Sequence, residues 1–88
     1  MKAIKKSTLL ELAKTVREYE RTGDADMFDA RVEVAKELST QAYGDGNAWI
    51  AFETFASATV GMNALYPECT NEELCGLFGA MGFEVIDE

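Results

Sequence analysis

The chain contains no histidine and a single proline, and its two cysteines, Cys69 and Cys75, stand six residues apart. Without histidine the commonest general base and metal-binding side chain is missing, and a serine or cysteine nucleophile would have to recruit a lysine or carboxylate for activation. The cysteine spacing suits neither a CxxC redox pair nor a Cys/His zinc site within one chain, so both thiols are read as reduced, small core residues. One proline in a chain that is 48% apolar and 27% charged excludes a disordered tail, a collagen-like repeat and a disulfide scaffold. No apolar stretch of secretory-signal length follows the positive segment at residues 1–6, which gives a cytoplasmic expectation.

Basic residues are missing from more than half of the sequence. Lys2, Lys5, Lys6, Lys14, Arg17, Arg21, Arg31 and Lys36 all fall in the first 36 positions, where seven acids nearly balance them. Residues 37–88 carry nine acids and no base, a net of −9 within a total of −8. Such a field repels DNA, RNA and anionic membrane and favours encounter with a basic partner.

What is present is helical periodicity in a chain long enough for one domain, expected to span 1–88. The fold class expected is all-α, a compact bundle of about four helices near 8–22, 25–43, 48–66 and 71–81. Thr8-x-x-Glu11 has the capping-box pattern, Leu9, Leu12, Ala13, Val16 and Tyr19 follow at helical spacing, and Gly23 stops the run. Asp24 or Asp26 can cap the second helix, whose inward stripe is Met27, Ala30, Val34, Ala35, Leu38 and Ala42, widened by Phe28 and Val32. The short connection at Gly23 makes the pair an antiparallel hairpin.

Gly44-Asp45-Gly46-Asn47 is the clearest turn, with Asn47 able to cap a third helix. Between Ala48 and Tyr66 the only charge is Glu53. The helix is apolar nearly all round, yet Asn63, Ser57 and two threonines make it too polar for a membrane span. A domain this small can hardly enclose a helix completely, so one face of it is expected in the core and another in a partner. Thr70-Asn71-Glu72-Glu73 is a strict capping box for a fourth helix with Leu74, Leu77, Phe78 and Met81 inward and Gly82 as its C-cap. Gly76 and Gly79 within it can leave a flat face for close backbone approach. Residues 83–86 read as a short strand in an extended C-terminal segment, and Lys2 to Lys6 is the candidate partner, its lysines opposing Glu84, Asp87 and Glu88.

Motifs for chemistry fail on inspection. Asp24-x-Asp26-x-x-Asp29 lacks the glycine and the closing glutamate of a calcium loop, and Asp45-x-Asn47 fails in the same way. No glycine loop cradles a phosphate between strand and helix. The expectation is a protein that is not an enzyme, with no catalytic or metal-ligating residues and no cofactor, and with no direct nucleic-acid or membrane partner.

Two functional readings remain. In the first, an acidic surface of Asp45, Glu53, Glu68, Glu72, Glu73, Glu84 and Asp87, with Tyr43, Trp49 or Tyr66 as aromatic anchors, docks on a basic, nucleic-acid-binding surface of a partner protein and inhibits or regulates it. In size and charge the chain resembles the compact acidic inhibitors that bacteriophages deploy against host nucleases and defence complexes, with no motif in common. In the second reading the chain self-associates as a homodimer or larger oligomer through the helix at 48–66. It then sequesters a small ligand such as a nucleotide on Lys14, Arg17, Arg21, Arg31 and Lys36, or serves as a structural subunit.

Overall fold

Glycine and aspartate set the first helical hairpin. The computed structural model of the protein describes residues 2–60 and 70–88, the side chains of 55–60 excepted. Helix α1 (Lys6–Thr22) ends where Gly23 turns left-handed at φ 66° and its amide reaches the Tyr19 carbonyl. Helix α2 (Ala25–Tyr43) starts at once, the Asp24 carboxylate accepting the Asp26 amide at 2.8 Å, and ends on Gly44 at φ 71°. A side chain at either glycine would be strained, because L-residues rarely adopt positive φ.

Asn47 opens helix α3 (Ala48–Val60), its Oδ1 accepting the Trp49 amide at 3.0 Å. The stretch expected to carry this helix to 66, with Tyr66, Glu68 and Cys69, lies outside the described residues. Helix α4 (Asn71–Ala80) opens on a complete capping box: Thr70 Oγ1 accepts the Glu73 amide and Glu73 Oε1 accepts the Thr70 amide, both at 3.1 Å.

Strand β1 (Lys2–Lys5) and strand β2 (Phe83–Ile86) pair in parallel, Lys2 opposite Phe83 and Lys5 opposite Ile86. The expected closure of the two ends is therefore present, and the Ser7 amide extends it by donating to the Glu88 carbonyl at 2.9 Å. The fold is all-α, four helices among the described residues, with this small sheet joining the ends of the chain.

The core is contributed by every element. Ile4 from β1, Leu9, Leu12, Ala13 and Val16 from α1, Ala35, Leu38 and Ala42 from α2, Ala48 and Ala51 from α3, Leu74 and Phe78 from α4 and Phe83 from β2 are all buried. Small residues on α2 and α3 let these helices approach closely. Ser39, fully buried between them, donates to the Asn47 carbonyl at 2.7 Å and so fixes the loop that precedes α3. Ser39→Ala is expected to cost about 0.5–1.5 kcal/mol, the net value of one hydrogen bond, since the Asn47 carbonyl keeps the Ile50 amide as a donor at 3.1 Å. Urea denaturation should show it as a lowered midpoint with an unchanged slope.

Four expectations are corrected. Helix α1 begins at Lys6 and not at Thr8, because β1 runs straight into it and Lys5 takes the extended cap position with no side-chain cap of its own. The Lys5 amide is satisfied by Gln41 Oε1 of α2 at 2.8 Å, while Thr8 Oγ1 accepts from Gln41 Nε2 at 2.8 Å, so the apparent capping box at Thr8 is spent on a contact between helices. Helix α4 ends at Ala80 with Met81 in the cap position; Met81 is exposed, and Gly82 follows at φ 97°. Phe28 is 38% exposed and lies at the edge of α2, outside its inward stripe. Cys75 is a half-buried free thiol that packs against the core from its edge.

Candidate functional site

The acidic residues singled out above fall into three groups. Glu84 on β2 and Asp87 just after it lie beside the lysine-bearing strand, with Lys6 Nζ 3.8 Å from Asp87 Oδ1. Lys6 is half-exposed and Asp87 almost fully so, and the pair is long, so it contributes little. Glu72 and Glu73 occupy the exposed first turn of α4, where their charge suits the helix dipole, and Glu73 is committed to the capping box. Asp45 in the loop after α2 and Glu53 on α3 are exposed, and neither makes an ion pair among the described residues. Glu68 is outside the described residues.

Charges far apart in sequence meet in the fold. The basic strand lies along the acidic one, and Arg17 of α1 reaches the N-terminus of α4, donating from Nη1 to Asn71 Oδ1 at 2.8 Å. A groove of about 460 Å³ between α1 and α2 is lined by Glu11, Glu33 and Glu37 together with Ser7, Thr8 and Val34, so the first hairpin carries anionic surface of its own.

The candidate ligand-binding cations do not gather into one site. Lys14 and Arg17 share an open groove of about 350 Å³ with Glu11 and Glu18, carboxylates that would oppose a phosphate there. Arg21 pairs with Glu18 and Lys36 with Glu33, each three residues away on its own helix. Arg31 is held elsewhere, with its guanidinium carbon 4.5 Å from the centroid of Phe28, 4.8 Å from that of Phe52 and 4.9 Å from that of Tyr19. Its Nε is buried without a hydrogen-bond partner, so three ring faces from three helices take the place of a carboxylate.

The aromatic anchors differ in availability. Tyr43 is engaged by the fold: its hydroxyl is 2.9 Å from Thr54 Oγ1, Lys2 Nζ sits 4.0 Å over its ring, and Phe83 meets it edge-on. Tyr66 lies outside the described residues. Trp49, in the first turn of α3, is 69% exposed. It meets Phe52 with centroids 5.8 Å apart and planes at 70°, and Phe52 in turn covers Arg31. Two aromatic pairs, Tyr19 with Phe28 and Phe52 with Trp49, are thus joined through the Arg31 guanidinium, and Glu53 lies one turn beyond Trp49 on α3.

Sequence reasoning found Trp49 and the acids but not the Arg31 cluster that supports them. The one local signal was the Phe28–Arg31 spacing, three residues on one helix, which places ring and guanidinium on the same face. Among the described residues no helix is long and apolar enough to cross a membrane, and no group of three or more acidic or cysteine side chains could hold a metal ion. Compared with protein-family models, with curated proteins and with solved structures, the chain matches none.

Proposed function

We propose that this chain is a non-catalytic acidic interaction protein that docks, in the cytoplasm, on a basic, nucleic-acid-binding surface of a partner protein and inhibits or regulates it. The observation that carries this reading is the exposed Trp49 ring with the exposed carboxylates of Glu53 one turn further along α3 and of Asp45 in the loop before it, neither carboxylate ion-paired with a cation among the described residues. An exposed aromatic anchor rimmed by charge of one sign is the composition of a docking surface for the opposite charge. Glu72 extends the acidic character to α4.

A pulldown with the purified protein, repeated at raised salt and with the charge-reversed Glu53→Lys/Glu72→Lys variant, tests it. Glu73 is left intact because its side chain closes the α4 cap. The expected result is a basic protein captured at low salt, released as salt rises, and bound about tenfold or more weakly by the reversed variant. Capture that is unchanged by both salt and charge reversal would refute the reading.

Self-association through α3 is the second reading, favoured by the same exposed Trp49. Light scattering on the free protein separates them: a dimer mass that Trp49→Ala reduces to a monomer mass supports self-association.

A further inference from the structure

We infer that the partner group received at this surface is an arginine, its guanidinium stacked on the Trp49 indole and forked onto the Glu53 carboxylate, an inference that rests on the acidic docking reading. Trp49 and Glu53 are one helical turn apart on α3, so ring and carboxylate share a face, and both are exposed. The Trp49 backbone is fixed where Asn47 Oδ1 accepts its amide at 3.0 Å, and Phe52 meets the indole at 70°. Among the described residues no ring lies flat on the indole, and Trp49 is 69% exposed, which leaves ring surface for a planar group.

The molecule already holds one guanidinium by this chemistry. Arg31 is covered by Phe28, Phe52 and Tyr19 with no carboxylate partner among the described residues. Trp49 meets Phe52, one of the rings that cover Arg31, so its exposed ring repeats that chemistry and Glu53 adds the anion that the inner position lacks. The Arg31 charge lies one ring further in, behind Phe52, whereas Glu53 is one helical turn from Trp49. Arginine suits the place better than lysine: a planar, weakly hydrated guanidinium both stacks on an aromatic face and forks onto a carboxylate, while an ammonium remains a compact hydrated charge.

Trp49 is the only tryptophan in the chain, so its fluorescence reports on this position alone. The experiment is a titration of the protein with oligo-arginine and with oligo-lysine of equal length, following both affinity and Trp49 emission, with Glu53→Gln and Trp49→Ala alongside. Trp49 is largely solvent-exposed, so its replacement leaves the core intact. Oligo-arginine is expected to change the emission and to bind about threefold to fivefold more tightly than oligo-lysine. That preference should disappear in Trp49→Ala, measured by calorimetry, and shrink in Glu53→Gln. Equal affinity for the two peptides with unchanged emission would overturn the arginine inference while leaving acidic docking in place. Failure of both peptides to bind at low salt would overturn the docking reading itself. An emission change on concentrating the protein alone, which oligo-arginine does not reverse, would mean that a second copy covers the ring and would also overturn the inference.

Discussion

Deletion of residues 83–88 is expected to lower the melting temperature by about 12 °C or more. The segment supplies Phe83, which is 8% exposed and packs 5.6 Å from Phe78, and it is the only strand paired with β1 among the described residues. Removing a buried phenylalanine costs about 3 kcal/mol or more, and a small domain loses about 4–8 °C per kcal/mol. The half-buried Val85 and Ile86 are lost too, offset by the conformational freedom the released residues regain, so the net remains near the contribution of Phe83. Ile4, now 1% exposed, would lose its cover in the truncated chain. The control is Lys6→Ala, which removes only the exposed pair with Asp87 and should shift stability by less than about 0.5 kcal/mol. Far-ultraviolet circular dichroism during heating reads both, and a truncated chain that melts with the intact one would show that the strand pairing contributes nothing.

Phe78→Ala is expected to destabilise the protein by about 3–5 kcal/mol. Phe78 is 1% exposed, lies against Phe83, and with Ile4 and Leu38 closes a space too tight for a water molecule. The surroundings have little freedom to collapse into the vacated volume, because α2, α3, α4 and β2 all contribute to its walls. A domain of this size has about 5–10 kcal/mol in total, so the variant would be left close to its unfolding threshold at ordinary temperature. Phe78→Leu, which keeps most of the volume, should cost less than about 1.5 kcal/mol. Chemical denaturation of the two variants side by side separates loss of volume from loss of the ring.

The parts of the fold that were legible in sequence are those fixed by neighbours within a few residues. Asp24 and Gly44 bracket α2 at the ends their chemistry dictates, and Thr70 and Glu73 form the reciprocal cap that their spacing announces. The start of α1 was misplaced because the same spacing at Thr8 and Glu11 is overridden by Gln41, 36 residues from Lys5, whose side chain satisfies the strand-to-helix junction. Pairing of the terminal segments was suggested by their complementary charge, but apolar residues hold it: Ile4 and Phe83 are buried in the pair, and among the described residues Lys6 is the one lysine of the N-terminal segment that meets an acid, while Lys2 covers Tyr43.

At the candidate surface the acids and Trp49 could be read individually. Their setting could not, because the Arg31 cluster draws one ring from each of three helices, and no local spacing records which helices become neighbours. Charge segregation along the chain was equally unreliable as a guide to segregation in space, since parallel pairing lays the basic strand on the acidic one and Arg17 bonds to the start of α4.

The parallel joining of β1 to β2 also bears on the order of events during synthesis. The strand made first pairs with residues 83–86, so β1 has no ladder partner until the rest of the described fold has been translated. Helices α1 and α2 can form and pair while the chain is still growing, being adjacent and rich in local contacts. Ile4 and the neighbouring apolar surface of Leu9 meanwhile wait for Phe78 and Phe83 to arrive. Completion of the fold is therefore a late, long-range step, and in the interval before it the half-made protein presents an uncovered strand edge to whatever surrounds the ribosome.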